Sequence, residues 1–110
     1  MVAWGMKIYE HPEISDITLP VVMQALSDPC RIAIVRELLA KDYALACNEV
    51  PLDVSKATRS HHFEVLRSAG LIRTKVEGTK CMTSLRKEEV ESRFPGLFSL
   101  VEAADQQASV

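Results

Sequence analysis

A mostly α-helical fold with one small β-hairpin is what this sequence predicts, and three features point there. Helix start signals at Asp28-Pro29 and at Ser55 each precede an apolar-periodic segment. Two β-capable runs between Leu71 and Leu85 flank a glycine-containing turn. The chain has 110 residues, 47% of them apolar, which suits one globular domain and excludes a disordered tail.

The elements follow in order. Ile14, Ile17, Val21, Val22 and Leu26 recur at near-helical spacing, so a first helix is expected from about Ile14 to Leu26, with Pro20 starting or kinking a turn. Residues 1–13 read as an N-terminal arm ahead of it. Asp28 is placed to cap a second helix and Pro29 suits its first turn. Ile32, Val35, Leu38 and Leu39 then carry an apolar stripe to about Lys41. Ala46 to Leu52 holds Pro51, so at most two helical turns fit there. Ser55 caps a longer helix from Lys56 to about Ala69, which Gly70 ends. A hairpin turning at Glu77–Lys80 comes next, then a short helix over Lys87–Arg93 with Glu88 and Glu89 in its first turn. Pro95-Gly96 interrupts the chain before an amphipathic segment, Leu97 to Ala104. A short helix, a tight turn, a longer helix and a hairpin make a winged helix-turn-helix plan. The terminal helices are left to pair with a second copy, through Ile14, Ile17, Val22 and Leu26 at one end and Leu97, Leu100 and Val101 at the other.

Charge narrows the partners. The net charge is −2, which taken whole argues against nucleic acid. Its distribution argues the reverse. Ser55 to Lys87 holds eight basic residues against Glu64 and Glu77, a net +6, while the remainder holds five basic and thirteen acidic, a net −8. One contiguous third is thus basic, as an electrostatic footprint for phosphates requires. No apolar run is long enough to cross a membrane, and the first ten residues do not resemble a secretory signal. Three scattered cysteines, Cys30, Cys47 and Cys81, do not make a disulfide framework. A cytoplasmic, non-membrane protein is the expectation. No nucleophile–base pair, glycine-rich phosphate loop or metal-ligand cluster suggests an enzyme.

The segment SKATRSHHFEVLRSAG, Ser55 to Gly70, is the most informative. Phe63, Leu66 and Ala69 share one face and must pack inward. Lys56, Thr58, Ser60 and His61 lie mostly elsewhere and put a cation, hydroxyls and an imidazole near the helix start. Such groups reach phosphates and base edges when a helix enters the major groove, and a helix N-terminus itself favours phosphate.

Together with LSDPCRIAIVREL upstream and EGTK downstream, this segment resembles the ArsR/SmtB family of bacterial repressors, over roughly Leu19 to Phe98. The specific part is a D-P-x-R-x-x-I-x-x-x-L helix paired with S-x-x-x-x-S-H-H-x-x-x-L-R-x-A-G-L. The resemblance implies a homodimer joined by its terminal helices, an inverted-repeat double-stranded DNA operator, and release of that DNA on effector binding. It places Lys56, Ala57, Ser60 and His61 at recognition-helix contact positions, although Ala57 lacks the hydroxyl or amide common there. Arg59 stands on a face the family usually makes apolar; it either reaches DNA, the preferred expectation, or pairs internally. His62 is expected to be partly buried and hydrogen-bonded. Lys75, Gly78, Thr79 and Lys80 match the tip of the wing. Arg67, toward the helix end, fits a structural or phosphate-positioning role.

The resemblance also says where an effector site would be sought. Metal-sensing relatives use a C-x-C in the short helix before the recognition helix, or Asp, His and Glu on the last helix. Tyr43–Val50 holds a single cysteine, and residues 86–110 hold no His or Cys. No metal site of those kinds, and no cofactor, is therefore expected. Thiol sensing through Cys30, at a helix start, or Cys47, near the reading head, is an alternative within the class. A winged helix used as a protein-interaction module, with the acidic remainder facing a basic partner, is an alternative outside it.

Overall fold

The computed structural model describes residues 9–108. Its helices are α1 (Leu19–Ala25), α2 (Pro29–Lys41), α3 (Lys56–Ser68), α4 (Lys87–Arg93) and α5 (Leu97–Ala108); its strands are β1 (Leu45–Ala46), β2 (Ile72–Glu77) and β3 (Lys80–Leu85).

Local chemistry fixes the two central helices. The Asp28 carboxylate accepts from the Cys30 N–H at 2.7 Å and caps α2, with Pro29 at the first position. The Ser55 hydroxyl accepts from the Thr58 N–H at 3.2 Å and caps α3. Each cap is worth about 1 kcal/mol. Helix α2 stops at Asp42, which takes the left-handed conformation at φ 56°. Helix α3 runs into Gly70 at φ 78°, where a Cβ would approach Ile17 Cγ1 to 2.8 Å. Glycine is required there both by the turn and by the close packing of the segment ahead of α1.

The sheet is antiparallel with order β1-β3-β2. Ile72 pairs with Leu85 and Glu77 with Lys80 across the hairpin, and Leu45 and Ala46 pair with Thr83 and Met82 on the other edge of β3. Beneath it lies one core, built from Ile34, Val35 and Leu38 of α2, Phe63 and Leu66 of α3, Leu71 and Ile72, Val90, and Leu97, Phe98 and Val101 of α5. Helix α3 and the β2–β3 hairpin are therefore anchored in the same apolar cluster.

Four expectations are corrected. The first helix divides: a 3-10 turn at Ile14–Asp16 precedes α1, which begins at Leu19 with Pro20 in its first turn. The short helix expected within 46–52 is a single 3-10 turn, Cys47–Glu49, because Ala46 pairs in the sheet and Pro51 blocks continuation. Residues 9–13, expected as part of a free arm, dock on the hairpin and α4: the Thr74 N–H donates to His11 Nε2 at 2.9 Å and Arg86 donates to the Pro12 carbonyl at 2.7 Å. Residues 1–8 of that arm lie outside the described residues. Finally, Ile17, Val22, Leu97 and Val101, assigned to a subunit interface, are buried in the chain's own core. Leu100 is 61% exposed and Ile14 and Leu26 are half-buried, so these three remain available to a partner.

Candidate nucleic-acid interface

Helix α3 presents two faces. His62, Phe63 and Leu66 are buried. Lys56, Ala57, Ser60 and His61 are exposed and fall together at i, i+1, i+4 and i+5, which is one side of a helix. No acidic residue occupies the first turn of α3, so its positive end is left uncompensated by the chain. Glu64 continues the same face one turn further along and marks where its cationic character ends.

The wing stands beside this face. Lys75, Gly78, Thr79 and Lys80 are all exposed, with Gly78 at φ 64° closing the tight turn between β2 and β3. A cleft of ≈ 660 Å³ lies between helix face and wing, lined by Ser60 and His61 on one side and Thr74 and Cys81 on the other. Lys56, Ala57, Arg59, Ser60 and His61 line this cleft, and Thr79 and Lys80 border a second one of ≈ 500 Å³ together with Lys56, so the predicted contact residues fall into a helix group and a wing group.

Arg59 is turned inward, against the preferred expectation of DNA contact. Its guanidinium donates to the carbonyls of Cys47 at 3.0 Å, Val50 at 2.6 Å and Leu52 at 3.2 Å. These oxygens belong to the 3-10 turn and the loop that follows, a segment too short to satisfy its own carbonyls. A planar cation with five donors meets that need from the facing helix. Arg59 therefore sets the position of α3 against the turn before it.

Other cations of the basic third are also committed. Arg86 is buried and forks onto Glu89 at 2.9 and 3.1 Å, while Arg73 reaches Glu89 at 3.0 Å. These contacts pull Glu89 well below the usual carboxylate range, to about 2. Lys87 pairs with Asp42 at 3.4 Å, and the Arg67 guanidinium lies 4.5 Å over the Tyr9 ring. Lys56, Lys75 and Lys80 are left exposed, without an ion-pair partner among the described residues. The footprint is smaller than the sequence count suggested, and all three of its lysines border the groove or its wing.

His62 is 6% exposed, and Arg31 donates to its Nδ1 at 3.1 Å, which places the ring proton on Nε2. Asp28, Cys30 and His62 offer potential ligand atoms all within 4.8 Å of one another. They form an anchor for the start of α2: the aspartate caps, the arginine donates to the imidazole, and its guanidinium also binds the Ala25 carbonyl at 2.6 Å. A guanidinium on the imidazole opposes a cation there.

Of the two cysteines considered for thiol sensing, Cys47 has another cysteine beside it and Cys30 lies with Asp28 and His62. Cys47 Sγ lies 2.9 Å from Cys81 Sγ, and Cys81 also meets the Tyr9 hydroxyl at 3.4 Å. Sequence reasoning singled out Cys47 and passed over Cys81, Tyr9, His11 and Arg31. The missing signal was strand β1, whose register carries Cys47 opposite Cys81.

The fold is shared with known proteins. No family model matches the chain. An uncharacterized HTH-type transcriptional regulator, YceK of Bacillus subtilis, is 38% identical over 77 residues, covering 68% of this chain and 77% of that protein. The crystal structure of the ArsR family transcriptional regulator RHA00566 superposes with a TM-score of 0.59 at 30% identity, covering 82% of this chain and 92% of that one. The transcriptional regulator HlyU of Vibrio vulnificus superposes at 0.57 and 29% identity, over 74% and 84%. With its capped α2, its two-faced α3 and the wing beside it, this chain belongs to the ArsR family of winged helix-turn-helix transcriptional regulators.

Proposed function

We propose that the protein is a dimeric, cytoplasmic repressor that grips an inverted-repeat operator, controls its own operon and is released by an effector. The observation that carries this reading is the exposed face of α3, Lys56, Ser60 and His61, set beside a wing that ends in Lys75, Thr79 and Lys80. In the major groove, Ser60 and His61 read base edges while Lys56 and the helix N-terminus hold phosphate. The small Ala57 lets the helix approach closely. Lys75, Thr79 and Lys80, with Gly78 shaping the turn, follow the adjacent backbone or minor groove. Arg59 is kept in the reading as the residue that orients α3, without a DNA contact of its own.

A second copy supplies the other half of the grip. Leu19 and Met23, one turn apart on α1, are 47% and 46% exposed, and Leu100 on α5 is 61% exposed. With Leu26 and Ile14 they are the apolar groups that terminal helices offer to a partner, in place of the four residues the core has taken. Two copies related by a two-fold axis match a palindromic site, with each α3 in one half-site.

The test is equilibrium binding of the purified protein to duplexes from its own promoter region across a salt series. Tight binding to one duplex that weakens steeply with salt supports the reading, since lysine–phosphate contacts release counterions. Absence of salt-dependent binding to any duplex, together with capture of a protein partner, overturns it in favour of an interaction module.

A further inference from the structure

We propose that Cys47 and Cys81 form a thiol–disulfide couple, oxidised by an anionic low-molecular-weight disulfide, that lowers DNA affinity by fastening the wing to the turn before α3. This goes beyond the repressor reading and rests on it for the DNA readout alone.

The geometry is specific. The pairing of Leu45 with Thr83 and Ala46 with Met82 brings Cys47 next in line, opposite Cys81. Their sulfurs stand 2.9 Å apart, closer than two unbonded sulfurs pack, and about 0.9 Å from covalent distance. They lie 34 residues apart in the chain, Cys47 on the 3-10 turn before α3 and Cys81 on β3 of the wing. Both are half-buried and both line two clefts, the ≈ 660 Å³ groove and a second of ≈ 500 Å³ bordered by Lys56 and Lys80. Those lysines give an anionic disulfide a cationic approach to the sulfurs. Cys30 stands apart from this pair, in the anchor with Asp28 and His62.

The chemistry proceeds by exchange. Burial, with Cys81 alongside, pushes the Cys47 thiol up to about 12, so Cys47 keeps its proton at the outset. Cys81 attacks as the thiolate on one sulfur of RSSR. The S–S bond of the reagent breaks, and RS⁻ leaves and takes up the proton Cys81 released. Cys47 then gives up its proton and attacks Cys81 Sγ, expelling a second RS⁻ that takes that proton. Two protein thiols lose two electrons in total, and RSSR gains them as two RSH.

Closure acts on both contact groups. The Cys47 carbonyl is one of the three that hold the Arg59 guanidinium, so moving Cys47 moves the support of α3. Cys81 adjoins Lys80, so the same contraction draws the wing tip out of line with the helix face. One covalent bond then fixes a spacing that DNA must otherwise select.

The experiment oxidises the full-length protein with oxidised glutathione. Disulfides are mapped by non-reducing digestion and mass spectrometry, and DNA binding is measured before and after, with re-reduction as a control. The expected result is an intramolecular Cys47–Cys81 bond, a fall in affinity of about tenfold, and recovery on reduction. Cys30→Ser should respond like the parent protein. Cys81→Ser should lose the response, with the same affinity before and after the oxidant. Bonds that map to Cys30 or between chains, no bond at all, or a mapped bond with unchanged affinity each overturn the proposal. Failure of the reduced protein on every duplex overturns the repressor reading instead, and the mapping still judges the couple by itself.

Discussion

Ser60 and His61 carry the discrimination in this account because they put a hydroxyl and an imidazole on the exposed Lys56, Ala57, Ser60 and His61 face of α3. Replacing either with alanine should cost roughly 1–3 kcal/mol on the preferred duplex and little on others. Competition between preferred and random duplexes measures this, and equal loss on both would remove the residue from the reading set. Lys80 is a different kind of contact. Its removal should weaken binding to all duplexes alike and lower the salt slope by about 1 per subunit. Arg59→Leu leaves the carbonyls of Cys47, Val50 and Leu52 without their donor. Unfolding should become easier by about 1–3 kcal/mol, a loss that thermal denaturation reads without any DNA. His11 adds a pH dependence. Burial, then the nearby charges of Arg73, Arg86 and Arg67, hold its imidazole below the ordinary value, and its Nε2 accepts from the Thr74 N–H. The unfolded chain therefore binds that proton more readily. Stability from this contact is complete above about pH 6.5 and is lost as pH falls below it. Denaturant midpoints for the parent protein and His11→Ala should converge in that acid range.

At the scale of elements, legibility followed how local the deciding contacts are. The starts of α2 and α3 were readable because Asp28 and Ser55 bond amides within three residues of themselves. The hairpin was readable because its turn is short and Gly78 takes positive φ. Strand β1 was not, since two residues carry no periodicity and their partners lie in β3, far along the chain. The inward turn of Arg59 was hidden for the same reason: its partners are loop carbonyls, which no side-chain pattern announces. Two substitutions test the packing between elements. Gly70→Ala combines φ 78° with a Cβ only 2.8 Å from Ile17 Cγ1, so it should destabilise by about 1–3 kcal/mol. Gly78→Ala, with positive φ and open space around it, should cost less. Thr74 and Thr83 face each other across the hairpin, and both hydroxyls are buried without a hydrogen bond among the described residues. Thr83→Val keeps the shape and removes one stranded hydroxyl, so the unfolding midpoint should rise or hold.

For the whole molecule, the sequence was right about which third of the chain is basic and misleading about how much of that charge is free. Arg73 and Arg86 share Glu89, Lys87 pairs with Asp42, Arg67 covers Tyr9, and Arg59 serves the fold, leaving three lysines on α3 and the wing. The apolar groups assigned to a dimer divided in a similar way. A chain of this length needs most of its large side chains for its own core, so Val22 and Val101 went inside while Leu100 stayed out; Leu19 and Met23, which the sequence did not single out, are exposed as well. Leu19→Glu combined with Leu100→Glu should therefore shift the protein toward monomer in sedimentation without unfolding it, and DNA affinity should fall with the loss of the second half-site. The most direct measurement is hydroxyl-radical footprinting of the reduced protein on its own promoter. Two symmetric protected segments, centred about one helical turn, roughly 10 base pairs, apart, are what two α3 helices and their wings must leave. A single unsymmetric patch, or uniform weak protection along the duplex, would contradict the account.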